Sequence, residues 1–413
     1  MPDLIRHASW RGYMLALLAV LIAASALPEM RFGVGGLSVH PYMFPAGALF
    51  TYELFRGHLV RFPAALGVAL AVFVFMYAAA TLSGPRVFNQ GLNEVIKVSA
   101  SMVVVVLSAI LIRTQRDLMW GMLGMVVAGA LISFRGVIEL DSRTGANALA
   151  GIANENATSL YTLPPLLIAA IALREFRLPY WVATVMALSS ILICANTFLS
   201  ANRSGWLGVA LIAALLMLTS IRKSRAMFMV GALAIPTVVL LSQFDTRAFE
   251  DSVAYTQGQR GSEANELRLK LITESIEIGL GHPLLGVSPV QLPSELGQQM
   301  GFVKAVYTHN VFSHVFGGAG LFAFSALLWA GWQLCARSSV RACSTVEQRL
   351  IDPERAQTAL RIMVALWAVR GMFTHEILYS PAFCVGLGML IGMGSLAGVW
   401  GRPRAWGPAD VQA

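Results

Sequence analysis

His309, flanked as Thr308-His309-Asn310, stands where the mostly polar stretch 244–308 gives way to an apolar run. An imidazole with an ordinary pKa of about 6.5 accepts protons at neutral pH, so a histidine at that junction suits general-base work on a molecule held at a membrane surface. Arg203, in Asn202-Arg203-Ser204-Gly205-Trp206, opens another apolar run, and Arg268 falls in the second turn of a helix predicted inside the polar stretch. A guanidinium keeps its charge and takes phosphate oxygens in pairs, so both arginines suit anion binding. Each residue also has a purely structural reading. Arg203 can anchor a helix end beside Trp206, and Arg268, with no acid three or four positions away, can sit on a solvated face. His309 can pack at an interface, and Asn310 can cap a helix.

The elements that must position these groups are membrane helices. Of the residues, 56% are hydrophobic and 13% charged, whereas a soluble domain carries nearer a quarter charged. The reading is an all-α integral membrane protein. About twelve runs approach the roughly 20 apolar residues that a span requires. They fall near 13–28, 37–55, 62–82, 93–112, 118–135, 157–173, 180–200, 205–221, 226–243, 310–336, 358–373 and 378–398. This gives one membrane domain: nine spans in 1–243, an exported loop over 244–309, and three spans plus a tail in 310–413. With the N-terminus inside, 17 of the 30 Lys and Arg gather at one set of span ends, among them Arg56, Arg113, Arg174 and Arg337. Short cytoplasmic loops retain basic residues, so both termini are expected in the cytoplasm and the 244–309 loop in the periplasm. That alternation needs Tyr13–Leu27 as a retained first span rather than a cleaved signal. The net charge of +8 is mostly this orientation signal, and no soluble basic face exists to bind nucleic acid.

Within the exported loop, Ser262–Ile278 reads as an amphipathic helix lying on the bundle or the membrane surface, with Ser262 as N-cap and Gly279 and Gly281 as stops. The turn-rich segment Gly281-His282-Pro283-Leu284-Leu285-Gly286-Val287 is expected to dip back towards the bundle. No internal repeat is visible. The four cysteines leave no pair in the exported loop, so no disulfide is expected there.

Taken together, Asn202-Arg203-Ser204-Gly205-Trp206, the arginine-bearing loop helix running into His282-Pro283-Leu284-Leu285-Gly286-Val287, and His309-Asn310 followed by Gly317-Gly318-Ala319-Gly320-Leu321 resemble the O-antigen ligase and polymerase family of bacterial envelope enzymes. The resemblance covers residues 140–330 and touches Asn154-Glu155-Asn156, where glutamate departs from the family pattern and leaves a sugar-binding role for Asn154 or Asn156 unsupported. It implies a multi-pass inner-membrane glycosyltransferase whose donor is a glycan on undecaprenyl diphosphate. Ligases deliver it to a lipid A core sugar, and polymerases to another lipid-linked glycan. It further implies that Arg203 and Arg268 engage the diphosphate and that His309 acts at the acceptor hydroxyl.

The chemistry is coherent beside the family name. A diphosphate leaves readily if positive charge holds its oxygens, so no general acid is needed. No metal or other cofactor is expected: the chain has no D-x-D pair, and His375-Glu376 fails the H-E-x-x-H pattern because Tyr379 stands at the second histidine's place. Attack opposite the diphosphate predicts inversion at the anomeric carbon. His375 and Glu376, at the outer end of the eleventh span, are candidates to orient His309 or the acceptor, or form a structural hydrogen-bond pair. Arg143, with Arg135 and Arg370, is a candidate to line the entry for an anionic lipid head. His314 reads as core, and Lys304 and Tyr307 are weaker candidates for the site. The rival class is a transporter of lipid-linked oligosaccharides, which should place ionisable residues near the bilayer midplane rather than at one face.

Overall fold

A computed structural model describes residues 10–25, 32–34, 37–84, 88–140, 155–200, 203–219, 259–336 and 351–400, with a few positions between 231 and 238. The expected span at 226–243 therefore lies almost wholly outside the described residues, as do Arg143 and Asn154.

The described elements are nearly all helical. In chain order they are α1 (Trp10–Ser25), strands β1 (Phe32–Val34) and β2 (Leu37–Val39), α2 (Met43–Phe55), α3 (Ala64–Ser83), α4 (Phe88–Ile110), α5 (Gln115–Leu140), α6 (Glu155–Glu175), α7 (Tyr180–Leu199) and α8 (Arg203–Thr219). After them come α9 (Gln259–Gly281), α10 (Leu292–Gln299), α11 (Val311–Cys335), α12 (Pro353–Gly371) and α13 (Pro381–Leu396), with a 3₁₀ turn, His375–Tyr379, before the last. Among the described residues, α3, α4, α5, α7 and α11 are long and apolar enough to cross a membrane. Large apolar side chains along them stay exposed, including Phe75 (71%), Leu188 (63%) and Trp332 (69%). On a soluble protein such a band would demand a partner; on a multi-pass membrane protein lipid covers it.

Small residues let the helices approach closely, as packing in lipid requires. Gly388 and Gly392, one turn apart on α13, press against the α4 backbone at Val105 and Ala109, and Gly124 of α5 meets Ala16 of α1. α6 runs unbroken through Pro164 and Pro165, with the Pro165 ring against Gly129 of α5.

Three expectations need correction. The 37–55 run is not one helix: Leu37–Val39 pairs antiparallel with Phe32–Val34, and α2 starts only at Met43. Pro41 explains the delay, since the residue before a proline is kept out of the helical region. The loop helix starts at Gln259, so Ser262 lies inside it and is not its cap, and the helix runs through Gly279 to Gly281. Beyond it, α10 has no counterpart in the sequence reading. Its Leu292 and Leu296 pack with Ile278 and Val287 in a small apolar cluster separate from the main core.

The docked segment carries the site's architecture. Leu271, Ser275 and Ile278 bury one face of α9, and Ser275 Oγ donates to the Ser313 carbonyl of α11 at 2.9 Å. The following turn returns to α11 as the sequence predicts. Val287 and Ser288 donate their N–H groups to the Gly317 and Gly318 carbonyls at 3.1 and 2.9 Å, and Leu321 donates back to Pro283 at 2.8 Å. The exchange is permitted because α11 breaks at Gly320, where φ is 76° and ψ −175°.

Candidate functional site

His309 sits on a turn whose two flanking residues are fixed. Asn310 is the N-cap of α11: its side-chain oxygen accepts from the N–H groups of Phe312 (2.9 Å) and Ser313 (3.0 Å). The cap is thus its structural role. On the other side, buried Thr308 donates its hydroxyl to the Asn310 carbonyl at 3.1 Å. His309 takes a left-handed φ of 49° between them, a conformation that side chains other than glycine adopt at a cost and that recurs at functional sites.

Electrostatics favour a neutral imidazole here. Burial pushes the pKa of half-buried His309 below its ordinary value, and the positive charge of Arg268 pushes it the same way. Arg268, half-buried on α9, is therefore brought into the electrostatic reach of His309, as the loop helix's docking on α11 requires. Arg203 opens α8, but its side chain lies outside the described residues.

Behind His309 is an aromatic stack. His375 is buried, with the Tyr307 ring parallel to it at 5.1 Å (3°) and the His314 ring on it at 4.6 Å (33°). Tyr379 meets its edge at 6.3 Å. Burial holds the His375 pKa well below its ordinary value, with further lowering from His314, His309 and Lys97. His314 is a core residue, as its spacing suggests, yet it contacts the site through His375. Glu376 is half-buried, and its N–H is capped by Thr374 Oγ1 at 3.3 Å. Arg370 lines no surface: it is 1% exposed and donates to Ser159 Oγ of α6 at 2.8 Å.

Three further groups share this end of the bundle and escaped the sequence reading. The Tyr77 hydroxyl donates to Glu94 Oε1 at 3.3 Å, Lys97 Nζ lies 3.8 Å from Glu94, and Lys97 stands over the Tyr379 ring at 5.6 Å. The signal was present, because a Glu and a Lys three residues apart in an apolar run are costly without a purpose. The opposite helix ends carry a separate ionic set: Arg113 donates to Glu53 at 3.2 Å, and Arg355 to Glu175 at 3.0 Å.

Residues 188–328 match the family model described as O-antigen ligase. That segment runs from α7 into α11 and contains Arg203, Arg268 and His309, while His375 and Glu376 fall outside it. No curated protein matches the chain.

Proposed function

We propose, from an O-antigen ligase-type segment at 188–328 in a multi-pass helical membrane protein, that this chain transfers a glycan from undecaprenyl diphosphate to a sugar hydroxyl of lipid A core at the periplasmic face. The observation that carries the reading is His309: a histidine fixed in a left-handed turn and kept neutral by burial and by an arginine on the docked loop helix. In the step, the acceptor hydroxyl gives its proton to His309 while its oxygen bonds to the anomeric carbon. The bond from that carbon to the diphosphate breaks, and the diphosphate leaves with the electron pair. Arg268 and Arg203 hold the departing oxygens, and His375 buttresses the His309 turn through the stacked Tyr307 ring. About twelve spans, with both termini cytoplasmic, set this face outward.

Two measurements test the proposal. Purified protein receives an undecaprenyl-diphosphate glycan with either a lipid A core acceptor or a second lipid-linked glycan. Transfer to the core, with inversion at the anomeric carbon, is expected; lengthening of the lipid-linked chain makes the protein a polymerase, and retention overturns the direct attack. The second measurement is donor affinity. Arg203→Ala and Arg268→Ala should each weaken it by about tenfold or more, since a lost charge-assisted contact is worth about 1.5–3 kcal/mol. Lysine should rescue each only in part, because an ammonium lacks the fork that grips two oxygens. Unchanged donor affinity in both alanine variants removes the clamp.

A further inference from the structure

The loop helix has a second apolar face that the bundle does not cover. Leu271, Ser275 and Ile278 are buried against α11, but Leu269 (66% exposed), Ile276 (40%) and Leu280 (65%) lie together on another side, at spacings of seven and four residues. The stripe continues past the helix into Leu284 (59%). It then passes onto α11 itself, where Leu321 and Phe322 are 46% and 50% exposed and Leu321 bonds the Pro283 carbonyl. On a third side of α9, Glu274 and Glu277 line a cleft with His282 and Glu295.

Depth decides what covers the stripe. At 1.5 Å per residue the 25 residues of α11 span about 37 Å, so about 4 Å emerges at each end of a hydrocarbon core of about 30 Å. Gly320 is then about 10 Å inside the hydrocarbon, and Leu284, whose carbonyl abuts it, lies at the same depth. Irregular backbone at that depth survives only when its polar groups are satisfied within the protein. Four of the segment's backbone groups are satisfied in this way: Gly286 donates to His282, Val287 to Gly317 and Ser288 to Gly318, and the Pro283 carbonyl accepts from Leu321. Pro283 has no N–H to satisfy.

We propose that the segment after α9 re-enters the membrane and that Ile276, Leu280 and Leu284 face the acyl chains of the leaflet holding the N-terminal end of α11, with Leu269 at the level of the headgroups. The loop helix is thereby a wall between lipid and the acid-lined cleft, with Arg268 and His309 on the protein side. The inference rests on the spanning helix and on continuity with its lipid-facing surface, not on the transfer reaction. Spin labels at Leu269→Cys, Leu280→Cys, Leu284→Cys and Glu277→Cys test it, in full-length protein with Cys335 and Cys343 replaced by serine. The protein is placed in nanodiscs of phosphatidylethanolamine and phosphatidylglycerol. Collisions with oxygen should exceed those with a nickel chelate at 280 and 284, the ratio should rise from 269 to 284, and 277 should prefer the chelate. Chelate preference at 280 and 284 overturns the proposal by showing an aqueous face. Protection from both quenchers there overturns it by showing a second copy or another protein on the stripe.

Discussion

Replacing His309 with alanine is expected to slow glycan transfer by about 10²–10⁴-fold, the range that a positioned base supplies, with donor affinity near the parent value. The turn geometry complicates this one substitution. His309 occupies a left-handed φ that asparagine tolerates and alanine resists. His309→Asn therefore keeps the turn, offers a polar side chain and lacks a basic nitrogen. Equal loss in both variants assigns the effect to the base, whereas activity retained by His309→Asn refutes proton transfer at this position. The pH profile adds an independent reading. Burial first, and Arg268 second, lower the His309 pKa, so the neutral base persists below pH 6.5 and kcat/KM should fall only as the pH drops through that lowered value. Removing the Arg268 charge favours the imidazolium. In Arg268→Ala the acid limb should move to higher pH, separately from any loss of donor affinity. A limb that stays in place means that the two residues are not coupled in the working enzyme.

The sequence and the structure agree where local chemistry dictates the outcome and part where tertiary contacts do. Apolar runs over 62–82, 180–200 and 310–336 fall on α3, α7 and α11 because helix is the only way for such a chain to satisfy its backbone in lipid. The return of 282–287 to the bundle was legible in its proline, glycine and leucines. The stack on His375 was not, since Tyr307, His314 and His375 come from three elements and no spacing relates them. Glu94 and Lys97 were hidden for a different reason. Both lie within the apolar run 93–112, whose average hydropathy conceals two charges, and only the packing of α4 against the 375–379 turn brings Lys97 over Tyr379. The strand pair before α2 was lost because a hydropathy window averages over the proline that divides it.

The second large effect concerns Gly320. Its φ of 76° and ψ of −175° fall in a region that glycine alone occupies readily, and forcing another residue there costs on the order of 1–3 kcal/mol. A methyl group would also meet the Leu284 carbonyl and the Leu285 nitrogen, the backbone of the docked segment. Neither neighbour is a flexible side-chain end, so relief requires the 283–288 strap to lift away and break its bonds to Gly317, Gly318 and Leu321. Gly320→Ala should therefore shorten the half-life of the detergent-solubilised protein on heating more than any strap side-chain truncation does. It should also lower transfer activity, because α9 carries Arg268 and is tied to α11 through the same strap. Gly331→Ala is the control within the same helix. Nothing lies within 4 Å of the added methyl there, and alanine gains about 0.5–1 kcal/mol over glycine in a helix interior, so stability should hold or rise. If Gly320→Ala keeps both its thermal half-life and its activity, the break in α11 is not what seats the loop helix beside His309. The coupling between Arg268 and His309 would then have to come from α9's own contacts at Ser275 and Gly279.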